Sequence, residues 1–357
     1  MATTDSRPIR ILVLQRESLV AAGVPSLSVS ARITEVLDYM ASLGGIEHAA
    51  ISEADPCADL GVEWADILIL SKHNSSTALG LAQLASGLGV KIVYDIDDWI
   101  FSFPAYSGGH AANNRNFAHD IIELADVVTV ANNELLRRLP KKIPGISPVL
   151  MPNGMWVERY FATNRERQQL VNPRILFTNA DFLKVQSAKD SILTALHVFF
   201  SRHPDYVLDF FGDPFPEMFS LPFLHFTNRM PYESYMRAIV AGDYVFAITP
   251  LGADEDEESV EFNACKNPFK YINYGTAKIP GIYSNADIYK SCVQDGETGL
   301  LIENSFEAWL EALELMAYND CLRERIRVGA HDDVRERFHV RHGCKVLQTI
   351  VSDLVCR

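Results

Sequence analysis

Residues 261–285 read EFNACKNPFKYINYGTAKIPGIYSN. Asn267 has the chemistry of a helix N-cap, and Pro268 suits the first helical position, where a missing N–H costs nothing. The helix this predicts runs to Gly275, and residues 279–283 follow as a buried strand. A helix delivered straight into an apolar strand is one unit of a β/α alternation, and the pattern repeats outward. Just upstream, residues 174–177 (RILF), 207–211 (VLDFF) and 244–249 read as strands, with helices over 188–202 and 232–241 between them. Further upstream lies a second series. Its strands are residues 9–14 (IRILVL), 65–70 (ADILIL), 90–94 (VKIVY), 127–130 and 148–151, and its helices cover 30–43, 79–88, 117–125 and 133–139. Downstream come a helix over 306–318 and a helical tail. The charged, weakly periodic stretch 158–173 reads as a linker. The expectation is an α/β chain with an N-terminal domain over 1–157, a linker over 158–173, a C-terminal domain over 174–333 and a helix over 334–357. In such sheets ligands sit at the carboxyl ends of the strands.

Composition limits the function. The 357 residues exceed one ordinary core and suit two α/β domains. The formal net charge of -14 argues against holding a nucleic acid polymer or an anionic membrane by bulk electrostatics. No apolar run approaches the roughly 20 residues that span a bilayer, and the polar first residues show no signal-peptide core. The six cysteines are scattered without C-x-x-C pairs, which reads as reduced thiols and a cytoplasmic setting.

The common catalytic signatures are missing. No G-x-G-x-x-G follows the first strand, and no P-loop, H-E-x-x-H or G-x-S-x-G occurs. His339 and His342 share one stretch of the tail and read as solvated surface, since no third metal ligand stands at a fixed spacing from them. What remains is the opening segment. Lys266 and Lys270 flank its helix start, and exposed N–H groups with two ammonium groups make an anion site suited to phosphate. An ordinary capped helix with solvated lysines explains the same residues.

The run from Lys266 to Pro280 resembles the K-S-P-x-K-F-x-E-Y-A-A-x-G-x-P segment of GT-B glycosyltransferases, nearest to family-four-like bacterial polysaccharide enzymes. Four further landmarks agree in order. They are ADVVTV at 125–130, Pro152-Asn153-Gly154, YDIDDWIF at 94–101 and DGETGLL at 295–301. The resemblance implies a GT-B fold, two Rossmann-like β/α/β domains facing across a cleft, with the tail crossing back to the N-terminal domain. It implies a hexosyltransferase that is retaining and metal-independent. The donor would be a nucleotide diphosphate sugar, acting as co-substrate with no cofactor. The acceptor would be a glycan or lipid-linked saccharide. An acidic chain would need a complex partner for peripheral membrane attachment.

The resemblance also implies roles. Lys184 matches a diphosphate-facing lysine, while Asn179 stands where relatives carry an arginine, so Lys266 or Lys270 would supply the missing charge. Lys184 and Lys270 would stabilise the departing diphosphate. Asn267, Pro268 and Phe269 form the helix start at the donor. Asn273 and Cys265 align with a glutamate pair of the relatives, Asn273 at the ribose position. Glu261 and Asn263 are candidates to take over contacts to the sugar. In the N-terminal domain Asp95, Asp97 and Asp98 would point toward the acceptor, with Asp97 orienting its hydroxyl or stabilising positive charge on the sugar. Capping aspartates and a D-x-D metal site are the other readings of that run. His73 and His110 lie in loops near strands and are acceptor candidates. Gly23 is the residue in loop 16–28 that would let backbone approach the acceptor. The acidic loop 254–258 reads as solvated charge, or as one carboxylate on the donor sugar. A degenerate binding subunit and a nucleotide-sugar epimerase are the alternatives within this fold.

Overall fold

The computed structural model describes residues 7–18, 21–26, 28–101, 116–161, 172–179, 182–252 and 256–356. They fall into two compact units. The first runs to Trp156 and resumes at Val340, and the second runs from Val157 to His339. The strands are β1 (Ile9–Gln15), β2 (Glu17–Ser18), β3 (Ala21–Pro25), β4 (Ile46–Ser52), β5 (Ile67–Ser71), β6 (Lys91–Ile96), β7 (Val127–Val130), β8 (Val149–Leu150), β9 (Arg174–Asn179), β10 (Val207–Gly212), β11 (Leu224–Thr227), β12 (Tyr244–Thr249), β13 (Gly281–Ser284) and β14 (Leu300–Ile302).

Each unit is a six-stranded parallel sheet, in the order β4-β1-β5-β6-β7-β8 in the first and β11-β10-β9-β12-β13-β14 in the second. The central strands β5 and β9 are buried along nearly their whole length and β1 through its middle, as sheets covered on both faces require. In each sheet the order reverses once. β1 pairs with β4 on one side and β5 on the other, and β9 pairs with β10 and β12. Those two reversals are topological switch points, where the crossover helices part and leave a crevice at the strand ends.

The chain differs from its sequence reading in several places. β4, β11 and the helix Ala58–Trp64 were not expected. The start of the expected linker is the helix Val157–Phe161, and residues 162–171 lie outside the described residues. The tail is not one helix from residue 334. The helix Asp320–Arg337 passes through that point, and after a short break Arg341–Val355 forms a separate helix. That last helix belongs to the first unit. Cys344, Leu347, Ile350 and Val351 pack with Ile11, Val29 and Val36. His339 is buried, with Nε2 3.0 Å from Glu158 Oε2, so it is not solvated surface. Among the described residues no helix is long and apolar enough to cross a membrane.

Candidate active site

Beside the first switch point the aspartates in and just after β6 divide into distinct jobs. Asp95 is fully buried and faces inward. Its oxygens accept from Arg32 Nε at 2.9 and 2.8 Å and from Thr129 Oγ1 at 2.7 Å, while Arg32 Nη1 donates to Asn153 Oδ1 at 2.9 Å. The expectation that Asp95 meets the acceptor is therefore corrected, because its carboxylate is committed to an internal ion pair. That pair also ties the Pro152-Asn153-Gly154 turn to the sheet.

Asp97 and Asp98 lie just past the end of β6 and share one cation. Lys72 Nζ is 2.6 Å from Asp97 Oδ1 and 3.0 Å from Asp98 Oδ2. Burial works to lower the Lys72 ammonium, but the two carboxylates outweigh it and the net shift is upward. Burial raises the Asp97 carboxyl, and its share of Lys72 offsets this only in part. Both directions follow from one ammonium serving two carboxylates. Lys72 adopts φ 52°, a left-handed conformation that costs a β-carbon-bearing residue energy and that the surrounding contacts hold in place. Lys72 escaped the sequence reading. The available signal was a lysine directly after the strand ILILS, apolar but for its last residue.

His73 follows and is 0% exposed. Its Nδ1 accepts the Ser71 N–H at 3.1 Å, and its carbonyl accepts Tyr94 OH at 2.8 Å. Burial first, and the Arg16 charge second, push its pKa down to about 3, so the ring is neutral near pH 7. Gly23 lies in β3, in the hairpin after β1. His110 falls outside the described residues.

At the second switch point, β9 ends in the buried Asn179, and the 3-10 helix Phe182–Ala188 carries Lys184. The loop after β12 closes on that helix. A β-carbon on Gly252 would lie 2.4 Å from Ser187 Oγ and 3.3 Å from the Val185 carbonyl carbon. The described part of the expected acidic loop is instead a helix, Glu257–Ala264, capped by Asp256, whose side chain accepts from Ser259 N at 2.8 Å. Residues 253–255 lie outside the described residues. Glu261 is exposed on this helix, and Asn263 is buried and donates to the Gly252 carbonyl at 3.1 Å. The Lys266 ammonium sits 4.9 Å from the centre of the Phe262 ring.

The next helix is Phe269–Ala277, and Asn267 is not its cap. Pro268 holds the cap position and no side chain caps the helix. Turn hydrogen bonds Cys265 N to Phe262 O and Lys266 N to Asn263 O prolong the previous helix and bring the chain in from another direction. Lys270 is half-buried in the first turn, and Phe269 is buried. Asn273 is buried, and its Oδ1 accepts Tyr232 OH at 2.7 Å, so the expected ribose contact is replaced by an internal hydrogen bond. Tyr274 OH lies 2.8 Å from Thr178 Oγ1 and ties the helix to β9, and burial pushes this phenol up to about 12.

A cavity of about 190 Å³ lies beside Gly252, Asn263, Ser284, Asn285 and Asn304. Small-molecule sites usually measure about 300–1,000 Å³, so it is too small to hold a nucleotide sugar by itself.

No family model matches the chain, and no curated protein matches its sequence. Solved structures do match its fold. A glycosyltransferase from Rickettsia africae ESF-5 aligns with TM-score 0.63 at 14% identity, over 98% of this chain and 99% of that one. Anabaena HepE in complex with UDP-glucose aligns with TM-score 0.65 at 15% identity, over 97% of this chain and 100% of that one. A putative UDP-N-acetylglucosamine 2-epimerase from Listeria monocytogenes aligns with TM-score 0.61 at 11% identity, over 98% of each chain. The chain has the GT-B fold, with two Rossmann-like parallel sheets.

Proposed function

We propose that this chain is a glycosyltransferase moving a hexose-like sugar from a nucleotide diphosphate sugar to a hydroxyl of a glycan or lipid-linked saccharide. The observation that carries the reading is the second switch point. There the helix bearing Lys184 packs against the loop after β12, and the helix Phe269–Ala277 begins with Lys270 in its first turn. A diphosphate leaving group departs with two or more negative charges. Ammonium groups and free helix N–H groups stabilise that charge as it develops. Lys184 and Lys270 take this role, and Lys266, just ahead of the same helix start, adds its charge. The UDP-glucose held by Anabaena HepE supports a uridine diphosphate donor. Glu261, exposed on the preceding helix, is the residue for donor sugar hydroxyls. In the first unit Asp97 and Asp98, held by Lys72, orient the acceptor hydroxyl. Transfer proceeds with retention and without a metal.

A panel of nucleoside diphosphates, followed by thermal melting, tests the donor site. UDP raises the melting temperature if the reading holds, and a flat response across the panel refutes it. The Listeria neighbour favours a second reading, epimerisation of the sugar nucleotide itself. Product analysis separates the two. Isomerised donor in the absence of acceptor supports the epimerase, and sugar on an added glycan supports the transferase.

A further inference from the structure

The first switch point holds two buried hydrogen-bond donors with nothing to donate to. Because His73 Nδ1 accepts the Ser71 N–H, the neutral ring carries its proton on Nε2. Among the described residues, neither that Nε2 nor the buried Nε of Arg16 meets an acceptor. The two groups are neighbours by construction. Arg16 follows β1 and His73 follows β5, the strands that flank the reversal, and Arg16 Nη1 donates to the Lys72 carbonyl at 3.0 Å, in the peptide that leads into His73. Unsatisfied buried donors are rare in folded proteins, and each costs a desolvation penalty.

Charge sharpens the point. The three carboxylates nearby are already committed, Asp95 to Arg32 and Asp97 with Asp98 to Lys72. No described carboxylate lies within ion-pair distance of Arg16, so a half-buried guanidinium is left without a counter-ion beside a neutral imidazole N–H. We propose that Arg16 and His73 form an oxyanion subsite that takes a carboxylate or phosphate oxygen carried by the acceptor. The inference rests on the transferase reading for the word acceptor, and names its class: an acidic sugar or a phosphorylated saccharide. His73 acts in it as a donor through Nε2–H. A ring kept neutral with Nδ1 engaged has no free lone pair to serve as a base.

The test uses the intact chain with inorganic phosphate, glucuronate and neutral glucose as probes, and follows the His73 Nε2 resonance by NMR. Phosphate or glucuronate should shift it in a saturable way while glucose does not. A response to phosphate alone identifies a phosphorylated acceptor, and a response to glucuronate alone identifies an acidic sugar. Arg16→Met should weaken that binding about 10- to 100-fold, as loss of a charge-assisted bond predicts, and leave UDP binding by the second unit unchanged. If neither anion moves the resonance in the unmodified chain, the donors face an internal water only and the inference fails. The same result follows if glucose matches glucuronate. A chain that binds UDP but neither anion overturns only this inference. A chain that binds an anion but no nucleoside diphosphate overturns the transferase reading.

Discussion

Replacing Arg32 by Met should cost the first unit about 3–5 kcal/mol, the range for breaking a buried ion pair from one side. Arg32 is 1% exposed and Asp95 is not exposed at all. Met fills most of the stem volume, so the loss is chiefly electrostatic. It strands the Asp95 carboxylate with Thr129 as its one short side-chain partner, and it leaves Asn153 Oδ1 without the guanidinium. Distance alone would not give this answer. Arg7 and Asp66 also meet at 2.7 Å, but their side chains are 60% and 28% exposed, and a pair so placed contributes little. Urea unfolding followed by tryptophan fluorescence reads the effect, because Trp64, Trp99 and Trp156 all lie in the first unit. The double variant Arg32→Met, Asp95→Leu should recover much of the loss by removing the stranded charge along with its partner. A single variant that loses less than about 1 kcal/mol, or a double variant as damaged as the two singles added together, would refute the reasoning.

Acid should destabilise the first unit through His73. Its folded pKa of about 3 lies below the ordinary value of 6.5, so its contribution is intact above pH 6.5 and is lost as pH falls toward 3. The window is worth on the order of 5 kcal/mol, and His73→Asn should flatten the pH–stability curve there; an unchanged curve counts against the buried neutral ring. Gly275→Ala should destabilise the second unit by about 1–3 kcal/mol despite alanine's better helix propensity, because the new β-carbon would sit 2.6 Å from Val334 Cγ2 and 2.9 Å from the Ala330 carbonyl oxygen. Gly80→Ala, in open space on the helix Ser76–Leu88, should instead stabilise by about 0.4–1 kcal/mol, and urea midpoints moving the same way for both would contradict the packing. Lys184→Ala and Lys270→Ala should each lower kcat by about 100-fold or more if they hold the leaving diphosphate, and near-normal turnover removes that role.

The strands were largely legible in the sequence because a parallel sheet covered on both faces needs unbroken apolar runs. IRILVL and ADILIL admit few other readings. β4 was not legible for the same reason turned around. It is an edge strand reading IEHAAIS, with only Ile46 buried, so burial never selected an apolar run. The helix Ala58–Trp64 buries only Ala58 and Val62 and so lacks a stripe to detect. At the site, the strand order puts Asp97 and Asp98 just past the end of β6 and Lys184 past the end of β9, but it could not aim the side chains. Asn267 has cap chemistry, yet the helix ahead of it fixes the direction in which the chain arrives. Asn273 occupies the expected helix position, yet Tyr232, from a different helix, takes its oxygen.

The Asp95-Ile96-Asp97-Asp98 run shows what sequence could not resolve there. Three carboxylates so close together repel one another, and the fold tolerates them by bringing two cations from elsewhere in the chain, one to Asp95 and one shared by Asp97 and Asp98. Arg32 comes from the first helical segment and Lys72 from the end of β5. Neither is near the aspartates in sequence, so a local reading sees uniform acid where the folded unit has one ion pair and one ammonium shared by two carboxylates. Among the described residues that arrangement puts no carboxylate within ion-pair distance of Arg16. Arg16 stands at the strand reversal with the neutral His73 N–H beside it, so three cations formally balance three aspartates at this strand end although the chain carries a net charge of -14. Global charge thus governs which polymers are repelled, while the pairing at one strand end decides which small anion has a place.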